Sequence, residues 1–377
     1  MDAATQLPTV GVIGAGQLAR MTHQAAIALG QSLRVLAADP AESAAAVAAD
    51  VRLGDYRNLD DLRAFAAGAT VVTFDHEHVP QEALRALVAD GVEVQPRPEA
   101  LVFAQDKQAM RERIGGLGLP QPRWRPVASL AEIEDFGLPC VLKAATGGYD
   151  GKGVWMIDTA DDARAVLDSG IRLIAEERMP LQRELAVQVA RSPHGETAVY
   201  PVVETVQREG ICTEVIAPAP RLDPDAAEAA ASIARTVAEA LGVCGMLAVE
   251  LFQTAEGLFV NELAMRAHNS GHWTIEGAVT SQFEQHLRAV LDYPLGSVAT
   301  TAPFTVMANV LGGEEGGPRL DERLQRLLAE DSDARVHLYG KAVRPGRKIG
   351  HVTVRGEDLE ELRRRAARAV RWLTEGK

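Results

Sequence analysis

The chain has little cysteine. Cys140, Cys212 and Cys244 are odd in number and far apart, which excludes a disulfide framework, gives no zinc-ligand spacing and points to a reducing compartment. There is no surplus of positive charge either. The 39 Lys and Arg face 52 Asp and Glu, for a net charge of −13, which argues against a broad nucleic-acid surface and against adhesion to anionic membranes. No apolar run is long enough to span a bilayer. The start, Met1-Asp2-Ala3-Ala4-Thr5, carries no basic stretch leading into an apolar one, so no secretory signal is expected and a cytoplasmic location is. No internal repeat at solenoid spacing is visible. What remains is an ordinary globular composition, 47% hydrophobic and 24% charged over 377 residues. That length suits two or three domains with a sizeable core.

The most informative stretch is 143–153, Lys-Ala-Ala-Thr-Gly-Gly-Tyr-Asp-Gly-Lys-Gly. Short apolar runs at 139–142 and 154–157 read as strands on either side. Glycines let a backbone approach a ligand closely, and their amides can point at phosphate oxygens. Lys143 and Lys152 add positive charge there. The spacing is not that of a Walker A loop, which needs Gly-Lys-Ser/Thr and a following helix. A glycine-rich hairpin whose lysines are merely solvated is the competing reading.

The N-terminal region reads as a βαβ unit. A buried strand at 9–13 leads into Gly14-Ala-Gly16-Gln-Leu-Ala19, a helix to about residue 29, a stop at Gly30, and a second strand over 33–38 that ends at Asp39. This matches the dinucleotide fingerprint, although other phosphate ligands, or none, can use the same turn. A third strand, 69–74, runs into Asp75-His76-Glu77-His78. A spacing of two puts the acids on one side and the histidines on the other, which suits a ligand-contacting loop at a sheet's carboxyl edge better than one metal ion. A strand at 92–95 precedes Pro96-Arg97-Pro98, which reads as a domain boundary.

The central region is expected to open with one helix over 104–115 carrying Asp106 and Lys107. Strands at 173–179, from Glu184, at 200–204 and at 211–215 suggest an antiparallel sheet. The strands 246–252 and 258–263 form a hairpin. Centred near Glu256, it puts Glu250 and Glu262 directly opposite each other. Facing carboxylates repel, and a divalent cation such as Mg²⁺ reverses the sign. Arg266-Ala-His268-Asn269-Ser270-Gly-His272-Trp273 follows, a donor-rich loop suited to a small oxyanion. Further on, Lys341, Arg344, Arg347 and Lys348 cluster around a Pro-Gly pair that reads as a type II turn. This is a candidate phosphate clamp without the aromatic platform of a nucleic-acid site. An amphipathic helix over 357–373 closes the chain.

Four blocks together resemble the ATP-grasp superfamily and, within it, the N5-carboxyaminoimidazole ribonucleotide synthetases. They are Gly14-Ala-Gly-Gln-Leu-Ala-Arg-Met21, the loop 143–153, His268-Asn-Ser-Gly-His-Trp-Thr274 with Ser281-Gln-Phe-Glu284, and Tyr339-Gly-Lys341 through Arg344-Pro-Gly-Arg-Lys348 to Gly350-His351. The resemblance implies an α/β chain with an α+β core. It would comprise a Rossmann-like domain over 1–100 that holds no dinucleotide, an ATP-grasp domain over 101–295 with a lid at about 120–180, and a small C-terminal domain over 296–377. It implies a C–N ligase that joins bicarbonate to 5-aminoimidazole ribonucleotide at the expense of ATP in purine biosynthesis, with Mg²⁺ as cofactor, and usually a homodimer.

Carried over residue by residue, Lys107, Lys143 and the loop Gly148, Tyr149, Asp150, Gly151, Lys152, Gly153 and Val154 would contact the ATP phosphates. Glu176, Glu177, Arg178 and Met179 would form the adenine hinge, with Glu184 at the ribose and Gln207 near the nucleotide. Glu250 and Glu262 would bind Mg²⁺ beside Asn261. Arg266, His268 and Asn269 would position bicarbonate. Tyr149, Asp150 and Lys152 would face the aminoimidazole, with Gln17 and Glu77 among the substrate contacts. Lys341, Arg344, Arg347 and Lys348 would grip its 5′-phosphate. Three positions depart from the family pattern: Gln207 stands where His is frequent, Asp75 replaces a common Glu, and Met265 stands where a Pro usually precedes the Arg. The alternatives are a formate-dependent glycinamide ribonucleotide transformylase, a nicotinamide oxidoreductase built on 14–39, and a nucleotide sensor without turnover.

Overall fold

The computed structural model describes residues 5–31, 33–148, 151–313 and 317–376. In the N-terminal part, Val10–Ile13 and Val71–Phe74, apolar but for Thr73, are wholly buried and lie side by side. They belong to a four-stranded sheet, parallel throughout, in the order Asp50–Leu53, Leu33–Ala37, Val10–Ile13, Val71–Phe74. The edge strand Asp50–Leu53 was not expected. Its alternating, half-exposed Asp50 and Arg52 give no apolar run, and Asp50 pairs with both Arg34 and Arg52. The strand expected at 92–95 reduces to a single bridge, Val72 to Val94.

The Gly14-x-Gly16-x-x-Ala19 turn does enter a helix, Gln17–Ala28. Its amides, however, are already taken. Asp75, just past the strand Val71–Phe74, accepts hydrogen bonds from Gly16 N at 2.6 Å and Ala19 N at 2.8 Å. A carboxylate thus sits on the helix N-terminus, where a dinucleotide pyrophosphate would need the same donors. This removes the physical basis of the nicotinamide alternative.

The helix expected over 104–115 is two helices, Pro98–Gln105 and Lys107–Gly116, broken at Asp106. Asp106 leaves helical geometry and its side chain caps the second helix at Gln108 N and Ala109 N, a role in which Asp outcompetes helix continuation. The break puts Lys107 at a helix start.

The lid is a second four-stranded sheet, ordered Trp124–Val127, Leu173–Glu177, Cys140–Ala144, Val154–Ile157. Its helices, Leu130–Phe136 and Ala160–Leu167, each start with a capping box, at Ser129 and Thr159. They bury Ile133, Phe136, Ala163 and Val166 against Leu142 and Ile157.

The third sheet is the largest. In order, it joins Gly257–Ala264, Gly245–Thr254, Arg183–Arg191, Val203–Arg208, Ile211–Ala217, Phe304–Leu311, Lys348–Gly356 and Arg335–Leu338, with Thr197–Val199 paired to Arg183–Arg191. The strand expected over 200–204 thus starts later, at Val203, and 197–199 pairs separately. The C-terminal strands continue the central sheet, so the acidic hairpin and the basic turn 344–347 hang from one frame. That turn is type II, as expected: Arg347 N donates to Arg344 O at 3.1 Å and Gly346 has φ +72°.

A Cβ at Gly16 would lie 2.3 Å from Asp75 Oδ2. Gly16→Ala is therefore expected to dislodge the Asp75 cap and lower unfolding free energy by roughly 1–3 kcal/mol, read by urea denaturation. Undiminished stability would show that the cap contributes nothing.

Candidate active site

The acidic hairpin depends on one irregularity. Its turn is Ala255-Glu256, between Thr254 and Gly257, and the pairing Leu251 to Val260 follows from it. In unbroken register Glu250 would face Asn261, and Glu262 would point to the other side. A bulge between Glu250 and Leu251 shifts the pairing, so Glu250 opposes Glu262 and Asn261 becomes the extra residue. The expected face-to-face carboxylates are present, but through this bulge and not through a hairpin centred on Glu256.

Asn261 and its neighbours are held from below by Arg111, which the sequence reading passed over. Its side chain is fully buried, and it donates to Glu176 Oε1 at 2.8 Å, Val260 O at 2.5 Å and Asn261 O at 2.9 Å. Glu176 Oε2 takes Lys143 at 2.7 Å, and Lys143 also donates to Asn261 Oδ1 at 3.0 Å. Burial works against the charge on Glu176, but Lys143 and Arg111 together hold its carboxyl down to about 2. Glu176, assigned to the adenine hinge, has both carboxylate oxygens committed to these cations, which leaves a base at this position to the backbone. The signal for Arg111 was its place four residues after Lys107 on one helix face.

The two carboxylates are not equivalent. Burial, then the charge of Glu262, then that of Glu184, push Glu250 up to about 8. Burial also opposes the charge on Glu262, but Lys107, with which it forms a short ion pair, keeps its carboxyl below the usual range. Glu184 is raised by burial, while Gln207, at one of the departing positions, hydrogen-bonds to it.

Next to this pair, His268 Nε2 lies 3.6 Å from Glu250 Oε1. Ser270 N donates to His268 Nδ1 at 3.4 Å, and Ser270 Oγ lies 2.8 Å from the same nitrogen, so Nδ1 accepts and the His268 proton faces Glu250. Arg266 donates to Glu77 Oε2 at 2.7 Å, and Met265 N donates to Glu77 Oε1 at 3.2 Å. Glu77, assigned to the substrate, thus also aims Arg266. The Met265 amide supplies a donor that a proline there would lack. Lys341 donates to Gln17, joining two residues placed far apart in the chain.

Apart from the buried supports Arg111, Val260 and Met265, these groups line one cavity of about 1780 Å³. Every residue assigned from the sequence lines it, with three exceptions. Gly153 turns onto the strand Cys140–Ala144, its O accepting from Ala144 N at 2.8 Å. Tyr149 and Asp150 lie outside the described residues.

Residues 7–105 match the ribonucleotide synthetase preATP-grasp domain, 112–283 the ATP-grasp domain, and 305–365 the phosphoribosylaminoimidazole carboxylase C-terminal domain. The N5-carboxyaminoimidazole ribonucleotide synthase of Mycobacterium bovis is 56% identical over 380 residues, covering 98% of this chain and 89% of that protein. The chain belongs to the N5-carboxyaminoimidazole ribonucleotide synthase family. The crystal structure of the Thermus thermophilus synthetase superposes with a TM-score of 0.87 at 39% identity, covering 97% of this chain and 98% of that one. The Aspergillus clavatus synthase, in complex with ADP and 5-aminoimidazole ribonucleotide, superposes with a TM-score of 0.88 at 32% identity, covering 97% and 98%. As in other members of this synthase family, the fold is a mixed α/β ATP-grasp fold behind a preATP-grasp domain.

The raised value of Glu250 has a sign. The folded chain holds a proton there between the ordinary 4.5 and about 8, whereas the unfolded chain has lost it, so stability falls as pH rises through that window. Glu250→Gln is expected to flatten this fall. In cation-free buffer between about pH 5 and 9, its melting temperature should drop less than that of the wild type. Parallel curves would refute the assignment.

Proposed function

We propose that this chain carboxylates 5-aminoimidazole ribonucleotide with bicarbonate, converting ATP to ADP and phosphate and giving N5-carboxyaminoimidazole ribonucleotide for purine biosynthesis. One observation carries the reading. The cavity is lined by three chemically distinct groups of residues: lysines with paired carboxylates, an Arg-His-Asn oxyanion loop, and a basic turn. These suit a triphosphate, a small carboxylate and a phosphate monoester. The formate-dependent alternative shares the first two, but the carboxylase-type C-terminal match at 305–365 favours the aminoimidazole substrate.

Glu250 and Glu262 fit a hard divalent cation. They present only oxygen and face each other, and burial together with their mutual repulsion pushes Glu250 up to about 8, charge that a bound cation would offset. No cluster of three or more His, Cys, Asp or Glu with ligand geometry exists among the described residues, so phosphate oxygens would complete the coordination. Mg²⁺ held there would neutralise charge on the transferring phosphoryl group.

Lys107 and Lys143 approach the same phosphates from the helix start and the lid strand. Bicarbonate, oriented by Arg266, His268 and Asn269, attacks the γ-phosphorus through an oxygen. The bond to ADP breaks, and carboxyphosphate forms. The exocyclic amine then attacks the carboxyl carbon, directly or after local release of CO₂. Phosphate leaves, and the amine gives up a proton. Lys152 faces the aminoimidazole, while Lys341, Arg344, Arg347 and Lys348 hold the 5′-phosphate. Closure of the glycine-rich loop keeps water from the anhydride. A homodimer and a cytoplasmic location belong to this reading. The free Cys140, Cys212 and Cys244 suit a reducing compartment, and no helix among the described residues is long and apolar enough to cross a membrane.

The wild type should release ADP with bicarbonate plus the aminoimidazole nucleotide and not with formate plus glycinamide ribonucleotide. The reverse preference would exchange the two readings. Glu262→Gln should cut ADP release by at least about 10²-fold with its unfolding transition intact, and normal turnover would overturn the cation site. Arg347→Ala should raise KM for the nucleotide about tenfold with little change in kcat; an unchanged KM would remove the turn from the phosphate site.

A further inference from the structure

His272 has no part in the reaction as described, yet its ring lines the same cavity while only 1% of its surface is exposed. Its protonation is decided by Gln282, which is fully buried. Gln282 Oε1 accepts from His268 N at 2.9 Å, and Gln282 Nε2 donates to His268 O at 2.8 Å. Both partners are backbone groups with fixed roles, so the amide can face only one way. Its second N–H then points at His272 Nδ1, 3.0 Å away. Nδ1 must accept, and the ring proton must sit on Nε2. An imidazolium would set N–H against N–H.

The bracket is built in. A Cβ at Gly271 would fall 2.3 Å from Gln282 Oε1, and Gln282 N is itself tied to Thr274 Oγ1 at 2.9 Å. Phe283 and His351 pack on the ring, at 5.6 and 5.1 Å between centroids. Gln282 covers the Nδ1 edge, so the part of the ring left for the cavity is the Nε2 side. Nε2 has no hydrogen-bond partner among the described residues, and unlike His351 Nε2 it is not sealed from solvent. Burial, then the neighbouring His268, Lys348, His337 and Arg266, keep the ring well below its ordinary value. Those neighbours also locate it, near Arg266 and His268 of the oxyanion loop and near Lys348, which follows the basic turn.

We propose that His272 is a further catalytic residue, whose neutral Nε2–H donates a hydrogen bond to a carboxyl oxygen of the one-carbon unit as that unit passes to the amine. Gln282 is the positioning residue that fixes the tautomer. No proton is transferred, and the ring is neutral before and after. A neutral donor stabilises developing oxyanion charge without placing an acid beside a labile anhydride. The proposal rests on the carboxylase reading.

The test measures ADP release and incorporation of labelled bicarbonate together, with bicarbonate varied, in the wild type, His272→Phe and His272→Asn. The wild type should make one product per ADP. His272→Phe fills the space without a donor. It should make less product per ADP and lose at least about tenfold in kcat/KM for bicarbonate, with KM for ATP unchanged. His272→Asn, which restores an N–H, should recover part of the loss. Nitrogen-15 NMR of histidine-labelled wild type should show the His272 Nδ1 unprotonated, and Gln282→Glu should shift the proton toward Nδ1. The NMR arm decides the tautomer even if His272→Phe fails to fold. A wild type that makes no product from bicarbonate sinks the carboxylase reading and this inference with it. A competent wild type with an equally coupled His272→Phe, or a wild-type ring protonated on Nδ1, sinks this inference alone.

Discussion

One extra residue in one strand sets the chemistry of this cavity. Asn261 is the surplus member of the bulge in Gly257–Ala264. Were Asn261 paired in regular register, Glu250 and Glu262 would point to opposite faces of the sheet. With it, two carboxylates meet, an amide oxygen turns to Lys143, and two backbone carbonyls lean toward Arg111. Bulges recur beside active sites because they re-aim single side chains. Here the bulge is stabilised by a guanidinium with no exposed surface. Arg111 needs Glu176 to be tolerable in the interior, since an unpaired buried charge is strongly unfavourable. Glu176 in turn comes from the lid sheet. The ion network therefore does two things at once: it holds the bulge of the acidic hairpin, and it fastens the strand Leu173–Glu177 to the strand Gly257–Ala264.

The same economy applies at the other end. Because Phe304–Leu311 and Lys348–Gly356 extend the central sheet, the basic turn at 344–347 is joined to the acidic hairpin through a continuous ladder of backbone hydrogen bonds. The carboxylates and the cations of the two candidate sites therefore share one sheet. The sheet expected as the lid has its own small core and meets that frame through the ion network of Glu176.

Much of this was legible in the sequence, and the line between legible and illegible is physical. Strands such as Val10–Ile13 and Val71–Phe74 announce themselves because burial on both faces selects apolar residues at nearly every position, Thr73 being the one exception. The type II turn at Arg344–Arg347 is readable because Pro and Gly alone specify its dihedrals. The opposed glutamates were found, but by assuming a symmetric hairpin. The real register needs a bulge that no local pattern marks. Asp50–Leu53 escaped because an edge strand carries charges that mimic a loop. Asp106 was read as a helix residue, although its competing role as a cap was available from its type. For Arg111 the helix period offered only its place near Lys107; its partners, like those of Gln282, were illegible for a deeper reason. They come from distant segments, and a composition or a period contains no term for such pairings.

The three departures from the family pattern show how such a site absorbs change. Met265, in place of the usual proline, offers an amide proton, and Glu77 accepts it while holding Arg266. Gln207, in place of a frequent histidine, still hydrogen-bonds to Glu184 and brings no second titration to a region that already holds Glu250 and Glu262. Asp75, one methylene shorter than the common glutamate, reaches the helix amides at Gly16 and Ala19 because glycine lets it come within hydrogen-bond range. In each case the replacement keeps a donor or acceptor where one is required and leaves Glu250, Glu262, Lys107 and Lys143 untouched. The tolerance is local because the demands differ. A positioning residue has to satisfy one partner. A residue in the charge balance around the two facing carboxylates has to satisfy all the others at once, and there a change of one group alters the protonation of its neighbours.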